Sequence, residues 1–263
     1  VEVFYTAFFA LLGLVVGSFL NVCIDRLPAG KSVISPPSKC DSCGRRLSPL
    51  DLIPLVSYLW LRGRCRYCGA AIPKRVFAVE LITGFMLAFL YQYFGLSAEF
   101  GVTSFWAIVF ILVFFIDLEQ GLILNKIVYP CMLIAILLAA FVEPAWMEGW
   151  RLMPVASAAL GGGVGLILFW LIAFISGGGM GWGDVKLAAL IGLACGFPLV
   201  LVALVLGAVL GGLAAAVLLL VRKRQWGRGQ TIPFGPSLAV AAMVTVIWGV
   251  EISDWYLGLV DLV

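Results

Sequence analysis

The sequence predicts an all-α polytopic membrane protein of about eight transmembrane helices, with a small zinc-knuckle cytoplasmic domain between helices one and two. Three observations carry this. The 263 residues are 63% hydrophobic and only 12% charged, with a mean hydropathy of +1.12, whereas soluble domains carry about 45–50% apolar and about 25% charged residues. The apolar residues lie in continuous runs without strand-like alternation, which leaves helices as the spanning element. Four cysteines form two CxxC pairs inside the one long polar stretch.

The runs fall at 3–24, 76–94, 101–118, 123–142, 153–175, 184–197, 198–221 and 235–260. About 20 apolar residues cross a bilayer core. The first run is not a signal peptide in pattern: Glu2 is its only preceding charge, and Arg26, Lys31, Lys39, Arg45 and Arg46 follow it instead. A retained helix with its N-terminus outside is expected. The sixth run is short, and Gly196 and Pro198 separate it from the seventh.

Basic residues set the orientation. With the N-terminus outside, 25–75, 119–122, 176–183 and 222–234 are cytoplasmic. They gather Arg222, Lys223, Arg224 and Arg228 as well as the basic residues of the polar segment, and Lys126 and Lys186 lie just inside helices on that side. Arg151 is the one external cation, beside the acidic Glu99, Glu143, Glu148, Asp254 and Asp261. Within the runs, Gly161, Gly162, Gly163 and Gly165, then Gly207, Gly211 and Gly212, offer small faces for close helix packing.

In the polar segment, Cys40-Asp41-Ser42-Cys43 and Cys65-Arg66-Tyr67-Cys68 have the spacing of a four-thiolate zinc site. Gly44 and Gly69 follow the two pairs and let each turn close. A disulfide pair or redox motif is the competing reading, but the topology places the segment in a reducing compartment. Four thiolates leave no open position, so the metal is structural and shapes a segment too small for a large core. Cys23, Cys131 and Cys195 stand singly in or beside apolar runs and read as small hydrophobes.

Acidic residues inside spans are costly and mark function. Asp117 ends the third run, and Asp184 opens the sixth after Gly177-Gly178-Gly179-Met180-Gly181-Trp182-Gly183. Either alone could be a helix-end carboxylate reaching interfacial water. A glycine-rich approach before a helix-starting Asp is an expensive backbone unless something must come close. Both aspartates fall at the cytoplasmic membrane face. Two carboxylates about 4 Å apart repel by roughly 4 kcal/mol at an effective dielectric near 20, so such a pair keeps one proton between them. One member then serves as base toward water while the other polarises a carbonyl. The chain has no histidine, which excludes Ser-His and Cys-His catalysis and histidine metal sites.

Gly181-Trp182-Gly183-Asp184-Val185-Lys186 fits a GxGDxK motif. Around it stand Gly17-Ser18-Phe19-Leu20-Asn21-Val22, Asp25-Arg26-Leu27-Pro28, Leu52-Ile53-Pro54 and Arg62-Gly63-Arg64-Cys65. Val79-Glu80-Leu81-Ile82-Thr83-Gly84 and Pro233-Phe234-Gly235-Pro236 follow. In this order they resemble the bacterial type IV prepilin peptidases, bifunctional leader peptidases and N-methyltransferases of the GxGD aspartyl protease class, over nearly the whole chain. The resemblance implies Asp117 and Asp184 as catalytic pair and Cys40, Cys43, Cys65 and Cys68 as zinc ligands. It implies substrates that are prepilins or pseudopilins, cut after a Gly at the cytoplasmic face of the inner membrane, then N-methylated from S-adenosylmethionine. Partners are those substrates and the lipid bilayer, with no nucleic acid. Domains follow as a first transmembrane helix at 1–24, a methyltransferase-associated zinc segment at 25–75 and a transmembrane aspartyl peptidase domain at 76–263. Gly181 and Gly183 leave room for a substrate backbone. Gly63, Glu80 and Arg26 are candidates for methyl transfer, although Gly63 equally suits a turn and Glu80 an ion pair. One departure is Leu124 before Asn125, where the family usually has Pro.

Overall fold

The computed structural model describes residues 2–142, 153–177, 180–221 and 233–260. Glu143, Glu148, Arg151, Gly178, Gly179, Arg222, Lys223, Arg224, Arg228 and Asp261 lie outside the described residues. The elements in order are α1 (Glu2–Arg26), a 3-10 turn (Pro49–Leu52), α2 (Val56–Trp60), α3 (Lys74–Phe94) and α4 (Ala98–Gln120). Then come α5 (Asn125–Phe141), α6 (Pro154–Ile175), α7 (Trp182–Cys195), α8 (Leu199–Val221) and α9 (Gly235–Val260).

Every apolar run in the sequence folds as a helix. Six of them (α1, α3, α4, α6, α8 and α9) are long and apolar enough to cross a membrane. α5 has 17 residues and α7 has 14. At about 1.5 Å per residue α7 is roughly 21 Å long, short of a core about 30 Å thick. Its side chains pack inside the protein: Val185, Leu187, Ala188, Ala189, Leu190, Ile191, Gly192, Ala194 and Cys195 are all buried.

The chain forms two compact units, Val1–Ser104 and Phe105–Val263. In the first, α1 and α3 meet through small residues. A Cβ on Gly13 would lie 2.6 Å from the Thr83 carbonyl oxygen, and one on Gly17 would lie 2.7 Å from the Glu80 Cα. Such close approach is how helices associate where lipid removes the hydrophobic drive between them. Phe9 stacks on Tyr91 at 5.0 Å and meets Phe100 edge-on at 4.7 Å. Buried Asn21 donates from Nδ2 to the Val76 carbonyl at 3.0 Å. Within this unit α3 packs along α1.

In the second unit α7 lies against α6 at a glycine seam. A Cβ on Gly192 would strike the Gly161 carbonyl and lie 2.8 Å from the Gly162 nitrogen; one on Gly165 would lie 2.9 Å from the Ala188 carbonyl carbon. Gly207 gives the same closeness between α8 and α9, where a Cβ would lie 2.8 Å from Leu238 Cδ2. Gly163 and Gly212 face open space and take no part in these seams. Ser157 of α6 caps the turn between α7 and α8: its Oγ donates to the Phe197 carbonyl at 2.9 Å and accepts the Phe197 N–H at 3.1 Å.

Candidate active site and metal centre

Asp117 sits in the last turn of α4. Gly121, at φ +63°, closes that helix by donating its N–H to the Asp117 carbonyl at 2.8 Å. The Asp117 residue is 4% exposed, and its Oδ2 is buried without a hydrogen-bond partner. Asp184 occupies the first turn of α7, where its carboxylate faces the Gly181 N–H. The two carboxylates are near enough that the charge of Asp117 acts directly on Asp184. The fold thus brings together two acids that stand 67 positions apart in the sequence.

The surrounding groups sort the sequence expectations. Gly181 is exposed, and the nearest atom to a Cβ added there is Asp184 Oδ2 at 3.5 Å. That position leaves open space beside the carboxylate. Gly183 differs, because a Cβ there would lie 3.0 Å from Ile123 Cβ; its missing side chain serves packing between α7 and the loop before α5. Leu124 is the N-cap of α5 at φ −80°, a value close to the one proline fixes, so the loop keeps its course without Pro. Lys186 donates to Asn125 Oδ1 at 3.0 Å and lies 5.7 Å from the Tyr129 ring centre. Trp182, Val185, Lys186, Ala189 and Leu193 line an open groove of about 810 Å³ along one face of α7.

One neighbour of the pair carried no assigned role at the sequence level. The N–H of Gly235, first residue of α9, faces the Asp117 carboxylate, and a Cβ on Gly235 would lie 2.5 Å from Asp117 Oδ2. The only sequence signal was its place within Pro233-Phe234-Gly235-Pro236.

The metal centre belongs to the first unit. Its two knuckles repeat one pattern. Gly44 N–H bonds the Cys40 carbonyl at 2.8 Å and Gly69 N–H the Cys65 carbonyl at 2.9 Å, with both glycines at positive φ. Isolated bridges between Lys39 and Arg46 and between Arg64 and Ala71 close each turn. The four sulfurs lie within 4.8 Å of one another, and Cys40 and Cys68 are 3.8 Å apart. Tetrahedral zinc with Zn–S bonds of about 2.3 Å separates its sulfurs by about 3.8 Å, so the donor set fits that ion. A disulfide needs about 2.05 Å, and all four thiols are free.

The thiols also compete for charge. The backbone N–H groups of Cys43 and Ser42 lower the Cys40 thiol to about 7. The Ala70 N–H lowers Cys68, but desolvation and its three sulfur neighbours push it up to about 11. A cation is what lets all four ionise together.

Asp51 braces the cluster. Its carboxylate accepts Arg66 Nε at 2.7 Å and, from Ser48, the N–H at 3.0 Å and the hydroxyl at 2.8 Å. Arg45 of the first knuckle lies 4.3 Å above the Tyr67 ring of the second.

The three methyl-transfer candidates have separate partners. Glu80, 5% exposed, accepts the Leu55 N–H at 2.8 Å and a bond from Ser18. This ties segment 53–56 to the helix pair. Gly63, at φ +66°, lies against Tyr58, whose hydroxyl would be 3.0 Å from an added Cβ. Arg26 donates to the Ser32 carbonyl at 3.1 Å.

Comparison with known proteins adds kinship to this geometry. Residues 11–94 match the bacterial peptidase A24 N-terminal domain, and residues 104–216 match the type IV leader peptidase family. Among relatives named prepilin leader peptidase/N-methyltransferase, that of Pseudomonas putida is 34% identical over 92% of this chain and 90% of its own. That of Stutzerimonas stutzeri is 32% identical over 94% and 92%, and that of Bacillus subtilis 31% identical over 94% and 96%. No solved structure matches.

Proposed function

Because the chain belongs to the type IV leader peptidase family, we propose that it removes the leader from prepilins or pseudopilins, after a Gly, and methylates the new N-terminal residue. The observation that carries the peptidase reading is a buried carboxylate, Asp117, whose charge acts on Asp184 from a different helix. A coupled pair of this kind holds one proton between them. The ionised member takes a proton from water, whose oxygen attacks the scissile carbonyl, while the protonated member donates to the carbonyl oxygen. Collapse of the tetrahedral intermediate then breaks the C–N bond, and a proton passes to the departing amine. Gly181 supports access for the substrate backbone beside Asp184.

Zinc is assigned to Cys40, Cys43, Cys65 and Cys68, where it organises segment 25–75 and takes no part in hydrolysis. S-adenosylmethionine supplies an electrophilic methyl group for the exposed amine. Gly63, Glu80 and Arg26 are assigned a supporting role, since each fixes the course of segment 26–73 through its own partners. The chain is a multi-pass protein of the inner membrane, as its family and apolar helices support, and the distribution of Lys and Arg in the sequence supports an N-terminus outside and the aspartates at the cytoplasmic face.

The test is direct. Purified protein in detergent is mixed with a prepilin and S-adenosylmethionine, and product masses are read. Leader loss plus one methyl supports the whole reading. Leader loss alone removes the methyltransferase half, and an intact precursor removes both.

A further inference from the structure

Resting on the reading of Asp117 and Asp184 as the peptidase pair, we propose that Gly235 is a positioning residue for Asp117, holding its carboxylate in place by the absence of a side chain. Gly235 is buried at the N-terminus of α9, and its N–H faces the carboxylate. A Cβ at this position would stand 2.5 Å from Asp117 Oδ2, 2.9 Å from Cγ and 3.3 Å from Cβ. The contact thus runs along the side chain from Cβ through Cγ to Oδ2. Asp117 Oδ2 is buried with no hydrogen-bond partner, so the backbone of α9 is the wall against which this oxygen rests.

The start of α9 has no room to retreat from an added methyl. Immediately before Gly235, the Phe234 ring fills the space left by Gly211 of α8, where a Cβ would lie 2.7 Å from its Cδ2. The same ring lies 6.1 Å from that of Phe169 on α6. One turn on, Leu238 is pressed against Gly207 at 2.8 Å in the same sense. The Ser237 and Leu238 N–H groups bond the Phe234 carbonyl at 3.1 and 3.2 Å, and Pro236 restricts the backbone between them. Gly235 is therefore held between α8 on one side and Asp117 on the other. A methyl there displaces the carboxylate rather than the helix.

Ordinary contact begins at 3.4 Å, so Asp117 must move by about 0.9 Å. Misplacement of a reacting group by about 1 Å lowers turnover by roughly 100-fold. Substrate binding does not depend on that distance in the same degree, so the loss falls on kcat.

The experiment uses Gly235→Ala in the full chain in detergent, with leader cleavage normalised to folded protein. The expected result is a kcat about 100-fold lower with KM within about twofold. Gly212→Ala, which adds a methyl to α8 in open space, should match wild type. A thermal-stability cycle covers the case in which Gly235→Ala folds poorly. Because the obstructing atoms are Asp117 Oδ2 and Cγ, the Tm lost on Gly235→Ala should be largely recovered in an Asp117→Ala background. A kcat within threefold of wild type, or a Tm loss undiminished in that background, overturns the proposal. If Asp117→Asn itself still cleaves, the peptidase pair fails, while the Tm cycle still reports on the contact.

Discussion

Replacing Asp51 by Asn tests how much of the zinc segment's organisation comes from a carboxylate that is not a metal ligand. The Asp51 side chain is 4% exposed and serves Arg66 and Ser48 together. Burial would raise its carboxyl, but the bonds from Arg66 and Ser48 outweigh this and hold it below the ordinary aspartate value. Arg66 is 41% exposed, so solvent screening keeps that pair to about 1 kcal/mol. The two Ser48 bonds lose their charge assistance but keep an acceptor, a further loss of about 1 kcal/mol. Because the segment's folding and its metal binding are one equilibrium, about 2 kcal/mol appears as a zinc affinity roughly 30-fold weaker. Competition with a chromophoric chelator at neutral pH measures it. In wild type this contribution is fully present above the unfolded carboxyl value near 4, and it disappears as pH falls through the lower folded value. An affinity within twofold of wild type would refute the assignment of Asp51 as a brace.

Changing Cys40 and Cys43 together to Ser should release the metal, seen as loss of the roughly one zinc per chain expected from a closed four-thiolate site in elemental analysis. Unchanged metal content would count against the site. Gly192→Ala should destabilise the protein by about 1–3 kcal/mol or more, because the new methyl meets the Gly161 and Gly162 backbone. Gly163→Ala, in open space, should leave the Tm unchanged; equal losses in the two variants would show that the α6–α7 seam is not where the constraint lies.

The sequence made the helices and both chemical centres legible for separate physical reasons. Apolar runs announce helices because lipid permits little else. Asp117 and Asp184 stood out because charge in such runs is expensive, and the cysteines because zinc ligation fixes spacing. Spatial neighbours were hidden. Nothing in the sequence distinguishes Gly181, open beside Asp184, from Gly183, packed on Ile123, or Gly162 from the unpacked Gly163. Nothing in the sequence marks Asp51, whose bonds to Ser48 and Arg66 depend on the fold. Glu80 stood in the sequence as a methyl-transfer candidate or an ion-pair member, but it accepts the backbone N–H of Leu55, a partner no side-chain pattern encodes. The shortness of α7 was readable, yet its reason was not. It carries Asp184 on its first turn, and its burial depends on glycines in α6.

The proposed cleavage needs Asp117 and Asp184 together. Its most direct measurement is the mass of a prepilin after incubation with wild type, Asp117→Asn and Asp184→Asn, each shown by its melting curve to be folded. Leader loss is expected with wild type alone. A cleaved product from either folded variant would contradict it.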